Sequence, residues 1–208
     1  MLIIKTLHMK IKLSIITLAI TGFISLTAFT NNATDHDKIT VVLDAGHGGK
    51  DKGSQNNYVA EKDISLEIIQ RVKKLNQNKE VEIILTREND VDKSFNDRTE
   101  MINSIKPDYF ISIHLNKSNN ETINGYEVYH NPKNLDAKKL AINFINSFDS
   151  PLNNRGTKEG NFNILRNSNV PGIIYEVGFI SNDNDYNYIT SEEGKQKIVN
   201  DILNFINQ

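Results

Sequence analysis

The chain is 208 residues long, contains no cysteine and carries a formal net charge of −2 at pH 7. The lack of cysteine excludes a disulfide framework and thiolate chemistry, so any metal site must use histidine, aspartate or glutamate. The small net charge offers no strongly basic face, and we therefore expect no nucleic-acid partner.

The first thirty residues differ from the rest of the chain. Three lysines, Lys5, Lys10 and Lys12, precede an uncharged apolar run over residues 13–29, which is the pattern of a secretory signal. The run is slightly shorter than the ~20 residues that span a bilayer, and a retained N-terminal anchor in contact with the membrane stays an alternative. We predict a signal peptide or anchor over residues 1–30, a polar linker over 31–38 and one folded domain over 39–208. The leader predicts an exported protein in the cell wall or at the outer face of the membrane.

Strand-like and helix-like patterns alternate after residue 38. This alternation predicts an α/β, single-domain layered fold with a mixed, largely parallel central sheet flanked by helices. Residues 46–60 are rich in glycine and polar side chains and predict a long loop. The predicted strands cover 39–44, 81–85, 109–114, 125–130, 162–165 and part of 170–178, and the predicted helices cover 61–75, 94–105, 136–148 and 191–206.

Four side chains that suit metal chemistry fall at the ends of these elements. His47 lies in a glycine run after the first strand, Glu61 opens the first helix, His114 closes the third strand, and Glu176 stands in the last apolar strand. Because the carboxyl ends of parallel strands share one edge of a sheet, we expect these side chains to converge. Two imidazoles and one carboxylate form a catalytic zinc set, and the remaining carboxylate suits a general base.

Simpler interpretations of the same residues stay open. A lone histidine in a glycine loop is more often structural than a ligand, and a carboxylate such as Glu61 is favoured by the positive end of any helix. A solvent-facing position on an edge strand would explain Glu176. Against that, a charge next to Tyr175 and Val177 costs several kcal/mol unless it is paired or bound to a metal.

Five short motifs occur in a fixed order. They resemble those of the zinc-dependent N-acetylmuramoyl-L-alanine amidases of the type 3 class, over roughly residues 40–206. The motifs are LDAGHGG at 43–49, EKDISL at 61–66, LTR at 85–87 with Arg98, FISIHLN at 110–116 and YEVGFISN at 175–182.

The resemblance implies an enzyme whose catalytic domain covers 39–208. It implies Zn²⁺ bound by His47, Glu61 and His114, with Glu176 as the catalytic base. The implied substrate is peptidoglycan, cut at the amide between N-acetylmuramic acid and L-alanine. Asn116 and Arg98 are implied as substrate-binding residues. For Arg98, and also for Arg87, structural ion pairing is an equal alternative.

Several alternatives remain open at this stage. A zinc peptidase acting on the stem peptides and a non-catalytic wall-binding module are the rival functions. About ten residues separate Asn116 from Gly125, too few for the inhibitory helix that some relatives carry, so control would come from elsewhere, such as a separate activating protein. Within the family, the minimal architecture is similar to that of spore-cortex amidases. His36 is interpreted as solvated linker and His130 as surface or strand-end structure.

Overall fold

Six strands form the central sheet of the computed structural model, which describes residues 38–56 and 59–208. The predicted leader over 1–30 and His36 in the predicted linker lie outside the described residues, whereas residues 38–208 belong to one compact unit. The strands are β1 (Ile39–Ala45), β2 (Gln55–Asn56), β3 (Val59–Ala60), β4 (Val81–Leu85), β5 (Tyr109–Asn116), β6 (Tyr126–His130), β7 (Asn154–Glu159) and β8 (Gly172–Phe179).

The strand order of the main sheet is β4-β1-β5-β8-β6-β7. Strands β4, β1, β5 and β8 are mutually parallel. Strand β6 runs antiparallel to β8, and β7 runs parallel to β6 at the edge. The short strands β2 and β3 form a separate antiparallel pair within the loop after β1. The predicted mixed, largely parallel sheet is therefore confirmed.

The helices cover the sheet as their apolar spacing predicts. In the first helix the buried positions Ile64, Ile68 and Val72 lie four residues apart and form one stripe. Among the described residues, none of the helices has the length and apolar character needed to cross a membrane. The helices are α1 (Glu61–Leu75), α2 (Phe95–Ile105), α3 (Leu135–Asn146), α4 (Asn163–Asn167), α5 (Asp183–Thr190) and α6 (Glu192–Ile206).

The core lies on both faces of the sheet, because alternate strand residues point to opposite sides. Val41 and Leu43 belong to the larger apolar cluster, which the helices α1, α3 and α6 cover. Val42, between them, belongs to the smaller cluster, together with Ile102 of α2 and Ile164 of α4. This three-layer packing leaves the carboxyl edge of the parallel strands open to the loops that follow them.

The prediction of a strand over 162–165 is wrong. Residues Asn163–Asn167 form helix α4, whose neighbouring residues Ile164 and Leu165 are both buried. Two consecutive side chains can face one core from a helix, whereas in a strand they would point to opposite sides. Strand β7 was not predicted because its sequence, NRGTKE, has no apolar alternation; it forms the edge of the sheet.

Candidate metal centre and groove

The loop after β1 carries His47 in an unusual backbone conformation. His47 has φ of 60°, in the left-handed region that few residues other than glycine adopt. The next residues, Gly48 and Gly49, also have positive φ. This reversal of the chain turns the imidazole back over the carboxyl edge of the sheet, as predicted.

Glu61 lies at the centre of the cluster. Its Oε1 is 2.8 Å from His114 Nδ1 and 3.0 Å from His47 Nε2. Backbone N–H groups complete its contacts: Leu115 donates to Oε1 at 3.0 Å and Ser54 donates to Oε2 at 2.7 Å. Burial alone would raise the pKa of Glu61, but the two histidines dominate and hold it well below its usual range. Glu61 is therefore an ionised carboxylate fixed in one orientation.

The donor atoms of His47, Glu61 and His114 fit a small divalent metal. All lie within 4.8 Å of one another, at separations of 2.8 and 3.0 Å where they pair. Metal–ligand bonds of about 2.0–2.2 Å in a tetrahedral site place ligand atoms roughly 3.5 Å apart, so little movement is needed. Two nitrogens and one carboxylate oxygen form an open, three-ligand set of the catalytic type.

A second carboxylate orients one of the imidazoles. His47 Nδ1 donates to Asp51 Oδ2 at 2.7 Å, which leaves Nε2 facing Glu61. A carboxylate behind a ligating histidine is a common feature of metal sites. Burial lowers the pKa of His47, but Glu61 and Asp51 outweigh it and raise this pKa to about 9. Asp51 was not predicted from the sequence, although it lies only four residues after His47.

Glu176 lies beside this cluster with different surroundings. It pairs in register with His114 across β5 and β8. Its Oε2 is inaccessible to solvent and has no hydrogen-bond partner among the described residues. Burial raises the pKa of Glu176 to about 7; His114 opposes this rise, while Glu61 and Glu127 add to it. Glu176 is thus a carboxyl group able to exchange a proton near neutral pH.

Two buried arginines hold the loop that carries His47. Arg98 donates through Nη1 to Asp44 Oδ1 and to the carbonyl of Ala45, both at 2.6 Å, and through Nη2 to the carbonyl of His47. Arg87 donates to the carbonyls of Ala45 and Gly46 at 3.1 and 3.0 Å. These contacts support the ion-pairing interpretation of Arg98, and its substrate contact stays a prediction.

Asn116 lies at the end of β5 and contacts a buried polar network that the sequence did not reveal. Its Nδ2 donates to Glu127 Oε1 at 2.8 Å. Glu127 also pairs with Arg155 at 2.8 Å and with Lys158. Like Glu176, Glu127 is a carboxylate within an apolar strand, and that signal would have singled it out. His130, at the end of β6, is buried rather than on the surface.

A groove of about 650 Å³ runs over the cluster. A smaller arm of about 230 Å³ shares His47, Phe95 and His114 with it. The two histidines of the cluster therefore line both arms, whereas Glu61 and Glu176 line only the larger one. Residues of the larger arm are His47, Gly53, Ser54, Gln55, Glu61, Phe95, His114, Leu115, Asn116, Lys117, Phe162 and Glu176.

Comparisons with known proteins identify relatives of this domain. The chain is 31% identical over 172 residues to the "Probable cell wall amidase LytH" of Staphylococcus epidermidis, covering 81% of this chain but only 57% of that protein. It is 30% identical to the "Sporulation-specific N-acetylmuramoyl-L-alanine amidase" of Bacillus subtilis, covering 82% of this chain and 68% of the relative. The chain thus spans little more than half the length of the LytH relative.

A solved structure has the same architecture. The CwlD amidase from Clostridioides difficile, solved in complex with the GerS lipoprotein, superposes with a TM-score of 0.73 at 28% identity, covering 82% of this chain and 97% of that one. Residues 41–208 match the Amidase_3 family, described as N-acetylmuramoyl-L-alanine amidase. Through this match over residues 41–208, the chain belongs to the Amidase_3 family of N-acetylmuramoyl-L-alanine amidases.

Proposed function

We propose that this chain is a zinc-dependent enzyme that hydrolyses the amide bond between N-acetylmuramic acid and L-alanine in peptidoglycan. The observation that carries the proposal is the convergence of His47, Glu61 and His114 in a groove beside Glu176, whose Oε2 has no hydrogen-bond partner within the described part of the chain. Family membership supports the same substrate and bond.

His47, Glu61 and His114 are the residues that would hold the ion. When bound, Zn²⁺ supplies Lewis-acid polarisation of the amide carbonyl and makes water more acidic. Asp51 keeps the imidazole of His47 in the ligating orientation, and the N–H groups of Ser54 and Leu115 do the same for Glu61.

Glu176 moves the proton. It accepts a proton from water as the water oxygen adds to the carbonyl carbon, and it donates that proton to the amide nitrogen as the C–N bond breaks. A correctly placed acid–base group contributes roughly 10²–10⁴-fold to the rate. Because Glu176 Oε2 has no hydrogen-bond donor among the described residues, no protein contact there holds the carboxyl group in its ionised form.

The first experiment separates metal binding from proton transfer. Glu176→Gln should bind zinc as the wild type does and lose roughly 10²–10⁴-fold in kcat, whereas His114→Ala should lose both zinc and activity. Glu82→Gln, at an exposed glutamate of β4, is the matched control and should retain both. A wild-type protein that binds no zinc under any condition, or an active Glu176→Gln variant, would contradict the proposal.

The second experiment identifies the bond that is cut. Purified peptidoglycan is digested, and the products are analysed by chromatography and mass spectrometry. An amidase releases intact stem peptides with a new L-alanine N-terminus and leaves glycan strands with a free lactyl carboxylate. A stem-peptide peptidase would leave the glycan–peptide link intact, and a wall-binding module would release nothing.

We further propose that residues 1–30 direct export, or anchor the domain at the outer face of the membrane. One relative is named a probable cell wall amidase, and another was solved in complex with a lipoprotein. Both names support a place of action outside the cytoplasm. Fractionation of cells that produce the full chain, or a chain lacking residues 1–30, tests this proposal. Cytoplasmic retention of the full chain would contradict it.

A role in the spore cortex and control by an activating protein complete the proposal. The sporulation-specific relative supports the first, and the relative solved with a lipoprotein supports the second. A deletion strain of the source organism should make cortex without muramic lactam. Normal lactam content would rule out the cortex role without affecting the proposed reaction.

A further inference from the structure

Two phenylalanines are exposed in the groove beside His47, Glu61 and His114, the three side chains called the metal cluster below. Phe95 is 63% exposed and Phe162 is 40% exposed, and both line the larger arm together with His47, Glu61 and Glu176. The other large apolar side chains exposed among the described residues are all aliphatic, and none lines either arm. Single exposed apolar residues are ordinary, but two aromatic rings in one groove indicate a binding surface.

The fold fixes the ring of Phe162 and the backbone that carries Phe95. Phe95 is the first residue of α2, directly after Ser94, whose side chain and that of Asp97 form a capping box. Phe162 precedes α4, and its ring packs edge-on against Tyr129 with centroids 5.0 Å apart. Gly160 leaves the space for this contact, because a Cβ there would lie 2.5 Å from Phe162 Cε2.

The two arms of the groove share Phe95, and only the larger arm is also lined by Phe162. Charged side chains line both arms: Asp44, Asp51, Asp92, Lys93 and Arg98 the smaller one, and Glu61, Lys117 and Glu176 the larger one. In the larger arm, Phe162 adds an uncharged aromatic surface next to Glu176. A glycan strand and a stem peptide extend in different directions from the muramoyl amide, and an aromatic surface suits only one of them. Sugar rings present flat C–H faces, whereas stem peptides carry carboxylates.

We propose that Phe95 and Phe162 form an aromatic rim that binds a sugar ring of the glycan strand and so positions the muramoyl amide over the metal cluster. The electron-rich face of a phenyl ring attracts the weakly positive C–H groups of a pyranose. The inference rests on the proposed amidase function and adds to it the residues that recognise the glycan.

The test compares two substrates that share the same scissile amide. One is a disaccharide peptide containing N-acetylmuramic acid, and the other is the corresponding D-lactoyl peptide, which lacks the sugar. For Phe95→Ala and Phe162→Ala, KM for the disaccharide peptide should rise roughly 5- to 30-fold with kcat unchanged, the usual cost of truncating an anchor residue. Kinetics on the lactoyl peptide should match those of the wild type.

Matched variants exclude a structural explanation. Leu135→Ala removes a side chain that is 73% exposed outside the groove. It should leave KM unchanged for the disaccharide peptide and for the lactoyl peptide. Phe162→Tyr keeps the aromatic ring, and its KM for the disaccharide peptide should equal that of the wild type. Gly160→Ala displaces the Phe162 ring and should raise KM for the disaccharide peptide alone. Equal losses on both substrates, or no change on the disaccharide peptide, would overturn the inference.

A binding readout separates this inference from the proposed function. The disaccharide without peptide is titrated into zinc-loaded protein and followed by NMR. The disaccharide should bind to the wild type and bind roughly 5- to 30-fold more weakly to Phe162→Ala. This result supports the rim even if the wild type cleaves nothing. Cleavage by the wild type with equal disaccharide affinity in both proteins overturns the rim and leaves the amidase proposal standing.

Discussion

Asp44→Asn should destabilise the domain more than most single substitutions. The Asp44 side chain is buried beneath the metal cluster, and its Oδ1 accepts from Arg98 Nη1 and Thr86 Oγ1, each at 2.6 Å. Its Oδ2 accepts from Ser112 Oγ at 2.6 Å. The substitution removes the negative charge and leaves the guanidinium of Arg98, which is only 4% exposed, without a counter-charge.

The magnitude follows from this burial. Removing one partner of a buried ion pair costs about 3–5 kcal/mol, because the remaining charge stays desolvated. For a domain of this size, 1 kcal/mol shifts the melting temperature by about 2–4 °C, so Tm should fall by roughly 6–20 °C. Asp149→Asn is the control, since the Asp149 side chain is fully exposed, and it should shift stability by less than about 0.5 kcal/mol.

Urea unfolding of wild type and variant at several pH values tests both the size and the sign. Burial alone would raise the pKa of Asp44, but Arg98 and the two hydroxyl donors keep it below its ordinary value of 3.8. The stabilisation is therefore complete above pH 3.8 and is lost as the pH falls through the lower pKa of the folded state. The wild type and the variant should differ by a constant amount at pH 5–7 and converge in stronger acid. A loss below about 1 kcal/mol at pH 7, or a difference that grows in acid, would refute the reasoning.

Three further substitutions test the surroundings of the metal cluster. Gly46→Ala should weaken zinc binding roughly tenfold or more in a chelator competition, because the Cβ of the alanine would lie 2.3 Å from His114 Cε1 and displace this imidazole. An unchanged zinc affinity would mean that the His114 ring can move without loss of binding. Asp51→Asn should reduce zinc affinity about 10- to 100-fold, the usual cost of losing the group that orients a ligating histidine, and an equal affinity would rule out that role for its contact with His47. Glu127→Gln should cost about 1–3 kcal/mol in urea unfolding, since hydrogen bonds to a buried charged group are lost; zinc binding should be retained, and its loss would show that Glu127 supports the metal cluster directly.

The sequence was sufficient to predict the strands that carry the site. The first and third strands are continuous apolar runs that end in glycine or histidine, and a buried parallel strand is the simplest structure for such a run. Once β1, β5 and β8 are parallel, His47, His114 and Glu176 must reach the same edge. The alternation of strands and helices therefore predicted the convergence without any knowledge of distances.

Other features depend on tertiary contacts that no local pattern records. The run of residues 162–165 is too short to distinguish period 2 from period 3.6. Burying both Ile164 and Leu165 on one side of the sheet requires a helix. Glu127 is stabilised by Arg155 and Lys158, which lie about thirty residues away in the sequence. Pairings of this kind become visible only when the order of β6, β7 and β8 in the sheet is known.

The spacing of the residues left open which carboxylate binds the metal and which one moves the proton. The family resemblance implied an assignment, and the contacts give a physical reason for it. A metal ligand must stay ionised, and Glu61 meets two imidazoles and two backbone N–H groups, all of which favour the charged form. A proton carrier must exchange its proton near neutral pH, and burial without a donor at Oε2 raises the pKa of Glu176 to about 7. Two groups with the same chemistry are thus separated by their surroundings, as the proposed roles of ligand and base require. Exchanging the two roles would require Glu176 to gain donors that β8 does not supply, and Glu61 to lose those fixed by the backbone of Ser54 and Leu115.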